Sequence, residues 1–121
     1  MTHEEEIMNK VAEIKKAAPK EFKGKMNMRY GLEKRVSDYL FKMYMHYLKL
    51  VRAYDALGDL LTGCDPSDLV FEFNRMLNKA VEFKARLLGV VDGLRLSGMR
   101  ISVVEDTRVR GLPLYNIAVE D

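Results

Sequence analysis

The chain has 121 residues, 48% hydrophobic and 31% charged, with a formal net charge of +2. That composition is enough for one domain with a modest core, and it excludes disordered and fibrous polypeptides. The charge is blocked along the chain: −3 over residues 1–14, +8 over 15–52, −5 over 53–74, +4 over 75–100 and −2 over the rest. Such blocks either steer a polyanion or neutralise one another when helices pack antiparallel.

The first element is a short amphipathic helix over about residues 3–18. Thr2 and Glu5 have capping-box spacing, Glu4, Glu5 and Glu6 suit the positive end of a helix dipole, and Ile7, Val11, Ile14 and Ala18 form one apolar stripe. Pro19 ends it. A basic linker over about 19–28 follows, carrying Lys20, Lys23 and Lys25 with Pro and Gly as breakers. The second helix, about 29–62, is the strongest signal: Leu32, Val36, Tyr39, Met43, Tyr47, Leu50, Tyr54, Leu57 and Leu61 repeat at helical spacing. Leu40, Tyr44, Leu48 and Val51 widen that stripe, so the helix must be covered on two sides, centrally in its bundle or across a subunit interface. Its opposite face carries Lys34, Arg35, Lys42, Lys49 and Arg52 with Asp38 between them, and Arg29 lies at its start.

Gly63 closes this helix, and Asp65-Pro66-Ser67-Asp68 opens a third over about 66–93, with Asp65 as N-cap and Pro66 at the first helical position. So short a break makes an antiparallel pair. Leu69, Phe73, Met76, Ala80, Phe83, Leu87, Val91 and Leu94 form the facing stripe, while Glu72, Arg75, Lys79, Glu82 and Arg86 form a mixed outer face of ion-pairing spacing. A β-hairpin over about 99–120 ends the chain, its turn lying between Glu105 and Pro113 with Arg108 and Arg110 near the tip. The fold class is thus mainly α: two long antiparallel helices and a short N-terminal helix in a bundle, with a C-terminal hairpin.

The sequence carries no catalytic constellation. His3 and His46 have no His or Cys at helical ligand spacing, no glycine-rich phosphate loop or nucleophile elbow occurs, and no metal or cofactor is expected. Asp55, Asp59, Asp65 and Asp68 lack the oxygen-rich loop of a hard-cation site. Tyr39, Tyr44, Tyr47 and Tyr54 are read as core residues whose hydroxyls reach the rim, with base stacking as the alternative. The lone Cys64 fits a reducing compartment and reads as a small buried or half-buried residue. No stretch of about eighteen apolar residues occurs and the start MTHEEEIMNK is acidic, so no membrane partner and a cytoplasmic location are expected. The absence of Gln and the wealth of Lys, Arg and Glu lean towards a thermophilic source, against which stand eight methionines.

A hairpin directly after a helix, with arginines at its tip, resembles the wing of winged-helix DNA-binding proteins. The resemblance covers roughly the last thirty residues, and the two long preceding helices depart from that family. Two functions follow. One is a non-enzymatic nucleic-acid binder, DNA or RNA, contacting phosphates through Lys20, Lys23, Lys25, Arg29, Lys34, Arg35, Lys42, Lys49, Arg52, Arg108 and Arg110. The other is an oligomeric interaction module, most simply a homodimer, using the wide stripe and the hairpin edge. The tip arginines either reach phosphates or pair with Glu105, Asp106, the tail Glu120-Asp121 or a neighbouring subunit.

Overall fold

A computed structural model of the chain describes residues 2–120. It contains helices α1 (His3–Ala17), α2 (Leu32–Asp59) and α3 (Ser67–Leu96), then strands β1 (Arg100–Val109) and β2 (Leu112–Glu120) in one antiparallel hairpin. The fold is mainly α, a helical bundle with a hairpin laid on it.

Helix α1 is capped as its spacing implies, the Thr2 hydroxyl accepting the Glu5 backbone N–H at 3.2 Å. Its stripe buries Ile7 and Val11. Its Lys15 reaches α3, which changes the place of Glu72. That residue is 7% exposed rather than part of an outer face. Lys15 Nζ at 3.1 Å and Arg75 Nε at 2.8 Å bracket its carboxylate. Burial pushes this carboxyl up, but the hydrogen bonds from Arg75 and Lys15 outweigh burial and hold it below the usual glutamate range. Glu72→Ala is expected to cost about 1.5 kcal/mol in urea denaturation, the low end for charge-assisted bonds because both cations are partly solvated. Because its folded value is depressed, this contribution is present above the ordinary value of 4.5 and is lost as pH falls through the folded one.

Helix α2 starts at Leu32, later than expected, because residues 28–30 form a turn in which the Tyr30 N–H donates to the Asn27 carbonyl at 3.3 Å. Leu32 is left 57% exposed, outside the stripe that its spacing implies. At its other end Asp65 does not cap α3. Its carboxylate accepts the Thr62 and Gly63 N–H groups at 2.8 and 3.0 Å and the Thr62 hydroxyl at 3.0 Å, so it folds the turn back onto α2. Pro66 takes the N-cap position with no side-chain bond. The turn projects Cys64 into solvent, against the expectation of a buried or half-buried residue. Helix α3 continues past Asp92 and Gly93 to Leu96, where the Met99 N–H bonds the Leu94 carbonyl at 3.1 Å and the Gly98 N–H the Arg95 carbonyl at 3.0 Å, a Schellman ending.

Residues 18–27 form a strap without helix or strand, packed on the bundle rather than a free linker. Phe22, Gly24 and Met26 are half-buried while Glu21, Lys23 and Lys25 alternate outward. Phe22 meets Tyr39, His46 and Phe83 edge to face, with centroids 5.9, 5.5 and 5.5 Å away. The strap thus covers a part of the α2–α3 pair that the short α1 does not reach.

The hairpin covers α2 from another side. Its turn is the two-residue Arg110-Gly111, with φ +47 and +85, the left-handed pair a tight hairpin requires and for which glycine is suited at the second position. A bulge at Asp106 separates the Glu105↔Tyr115 and Thr107↔Leu114 pairs. Helix α2 meets β2 with a row of tyrosines. The Tyr47 hydroxyl donates to the Pro113 carbonyl at 2.7 Å, the Tyr44 hydroxyl oxygen accepts the Tyr115 N–H at 2.9 Å, and the Tyr54 hydroxyl donates to the Arg110 carbonyl at 3.4 Å. An open strand edge is a liability that proteins blunt or cover, and here the helix satisfies part of it. The second cover that the wide stripe requires is therefore the chain's own hairpin. Val36, Leu40, Met43, Tyr47, Leu50, Val51, Tyr54 and Leu57 are all buried in consequence.

Candidate functional site

The tip arginines are held by the protein itself. Arg110 lies across α2 at Gly58, so closely that a Cβ at that position would overlap its guanidinium, and a side chain at 58 and this arginine cannot share the space. Its Nε bonds Asp55 at 2.8 Å and an NH2 group bonds Asp59 at 2.5 Å. Arg108 folds back on Glu105 at 2.6 Å. Both guanidinium pKa values are raised, first by these carboxylate hydrogen bonds. Of the acids near the tip in sequence, Glu105 is a partner of Arg108, while Asp121 lies outside the described residues.

The remaining predicted cations divide. Lys20, Lys23 and Lys25 stand on the outward edge of the strap, and Lys42 reaches the strap by donating to the Lys25 carbonyl at 3.4 Å. Arg29 is exposed just before α2. Lys34 pairs loosely with Asp38 at 3.9 Å and lies over the Tyr30 ring. Arg35 turns inward instead of facing solvent: one terminal nitrogen meets the Met28 sulfur at 3.2 Å, and its Nε is buried with no hydrogen-bond partner among the described residues. Lys49 and Arg52 line a shallow recess beside the last turn of α1, with Ile14, Ala17 and Ala18.

Around His46 these elements converge. The imidazole lies tilted against Phe83 with ring centres 4.4 Å apart and meets Phe22, while the Arg86 guanidinium lies 5.4 Å from the centre of the Phe22 ring and 5.6 Å from that of Phe83. A cleft of about 260 Å³ here is lined by Lys20, Glu21 and Phe22 of the strap, His46 and Leu50 of α2, and Lys79, Glu82, Phe83 and Arg86 of α3. Burial lowers the His46 pKa from 6.5, and the charges of Arg86, Lys49 and Lys79 lower it further. Among the described residues none of Lys20, Lys23, Lys49, Arg52, Lys79 and Arg86 has a carboxylate within ion-pairing distance. Sequence spacing conceals Lys79 and Arg86, because it places them on an outer face that neutralises itself. The pairs that form on α3 are Arg75–Glu72 and Arg95–Asp92. A readable signal exists, since Lys79 and Arg86 are two turns apart and flank Phe83 on one helix face.

This crowding has a testable pH signature. A histidine whose folded pKa lies below its unfolded value contributes stability above the unfolded value, and that contribution is lost as pH falls towards the folded one. Thermal melts should show stability declining from pH 6.5 downward, and His46→Phe, which keeps the aromatic contacts, should flatten that decline. Parallel profiles for the two proteins would show that His46 is not the responsible group.

Among the described residues no helix is long and apolar enough to cross a membrane, and no group of three or more His, Cys, Asp or Glu side chains is placed to hold a metal ion. The chain matches no family model, no curated protein and no solved structure.

Proposed function

We propose that this protein is a non-enzymatic binding module that contacts the phosphates of nucleic acid through the face formed by the strap, the adjoining side of α2 and the outer side of α3. One observation carries the reading: Lys20, Lys79 and Arg86 line the cleft at the half-buried His46, Lys49 acts on the same imidazole, and these four cations outnumber the cleft's two carboxylates, Glu21 and Glu82, without forming ion pairs among the described residues. Cations gathered in this way repel one another, and a polyanion relieves that repulsion while releasing its own counterions. Lys23, Lys25, Lys42 and Arg52 extend the same face. Arg108 and Arg110 are left out of it, because their charge is spent on Glu105, Asp55 and Asp59. No base-reading constellation accompanies the cations, so binding should be insensitive to sequence. An exposed thiol without a disulfide partner suits a cytoplasmic location.

The test is affinity for a random duplex and a random single strand across a salt series. Four phosphate contacts give a slope of log affinity against log salt of about −3 to −4 on duplex. No binding to either nucleic acid at about 20 mM salt removes the proposal. A second reading, self-association, is favoured by a different observation: Phe41 of α2 is 66% exposed and, with Met45 and Leu48, lines a groove shared with Tyr115, Ile117 and Val119 of β2.

A further inference from the structure

The cleft at His46 gathers charge from every element packed against the imidazole. The strap contributes Lys20 and Glu21, α3 contributes Lys79, Glu82 and Arg86, and Lys49 flanks the ring on α2 itself. Histidine is the side chain in this set whose ordinary titration falls near neutral pH. The ring packs against Phe83 and Phe22. Among the described residues its nitrogens make no hydrogen bond, no carboxylate pairs with it, and neither nitrogen is sealed from solvent. The imidazole is therefore open to whatever the surrounding cations attract.

We infer, resting on the phosphate-binding reading of this face, that His46 is a proton-dependent contact for the phosphate: it takes up a proton from solvent as the anion enters the cleft, and donates a ring N–H to a phosphate oxygen. A neutral imidazole presents one N–H and one lone pair, and a lone pair turned towards an anionic oxygen repels it. The imidazolium presents two donors. In the free protein, burial and the charges of Arg86, Lys49 and Lys79 oppose a proton on this ring. A phosphate drawn among the same cations reverses the local field, and a nearby opposite charge favours the protonated form. Glu21 and Glu82 favour that form with and without the anion, so they leave the sign of the change as it is. By linkage, an anion that promotes protonation binds more tightly as pH falls. The gain develops as pH falls through the bound-state value of His46 and levels off below the free-state value. Lysine and arginine side chains ordinarily titrate far above this range, and a phosphodiester does not titrate within it.

The test uses the full chain carrying His3→Gln, which leaves His46 as its one imidazole, and a random DNA duplex at about 50 mM salt. Circular dichroism at each pH confirms that the protein stays folded. Between pH 8 and pH 6 affinity should rise about three- to tenfold, within the limit of one decade per pH unit for a single coupled proton. Adding His46→Phe, which keeps the aromatic contacts, should give a flat profile. In NMR spectra the His46 ring protons should titrate at higher pH with duplex than without it. Binding that is independent of pH, or a pH dependence that survives in His46→Phe, overturns the inference and leaves the phosphate-binding reading standing. A ring that titrates at the same pH with and without duplex overturns it too, whether or not His46→Phe folds. No binding at any pH at about 20 mM salt overturns both.

Discussion

Replacing Tyr47 with alanine lowers the free energy of unfolding by about 3–5 kcal/mol, the range for removing a large buried aromatic side chain. Tyr47 is fully buried, its ring lies 6.2 Å from that of Tyr44 and 6.3 Å from that of Tyr115, and its hydroxyl donates to the buried Pro113 carbonyl. Burial, then the neighbouring tyrosines and Glu105, push the phenol well above its ordinary value of 10.0, so it remains a donor throughout the pH range in which the protein is handled. Tyr47→Phe isolates the hydrogen bond and should cost about 1–3 kcal/mol, because the carbonyl is left dry and unpaired. Tyr54→Phe, which breaks a longer bond at 3.4 Å, should cost less than about 1 kcal/mol. Chemical denaturation ranks the three. Equal stabilities for the parent and Tyr47→Phe would mean that the hairpin is not fastened to α2 through this residue.

The second large effect is on binding. Reversing Lys49 and Lys79 to Glu together should weaken affinity for a random duplex by about 10- to 100-fold near 0.1 M salt and flatten the salt slope by about two units, one per lost phosphate contact. Stability should stay within about 0.5 kcal/mol of the parent, since neither lysine forms an ion pair among the described residues and surface charges contribute little. Retained affinity in this variant would separate the His46 cleft from any nucleic-acid interface.

How far the fold can be read from the sequence depends on whether its signals are local. The α2 stripe is local, and its width correctly implies cover on two sides. What supplies that cover is not local: Tyr47 and Pro113 are 66 residues apart, and nothing in either neighbourhood names the other. The same holds for the hairpin tip. Asp55 and Asp59, one turn apart, look from the sequence like a poor cation site, and the cation they hold is the Arg110 guanidinium, 55 and 51 residues away. Asp65 shows a different failure. It has N-cap chemistry next to a proline, yet the two N–H groups and one hydroxyl on its N-terminal side claim its carboxylate. Glu72 follows helical spacing onto an outer face until Lys15 of α1 reaches it. At the candidate site the strap lysines and Lys49 are legible as charge density, whereas Lys79 and Arg86 are hidden by an expectation of neighbouring ion pairs that the side chains do not make.

The central claim is a division of labour: the hairpin tip belongs to the packed fold, and phosphate contact belongs to the face around His46. The double variant Arg108→Glu/Arg110→Glu tests it most directly, with melting temperature and duplex affinity measured on the same preparation. A carboxylate at position 110 would face those of Asp55 and Asp59 across Gly58, so a clear fall in melting temperature is expected, with the salt slope unchanged and the affinity of the folded protein within about twofold of the parent. An unchanged melting temperature together with a slope flattened by about two units would contradict this division and return the arginines to the role of a nucleic-acid-contacting wing.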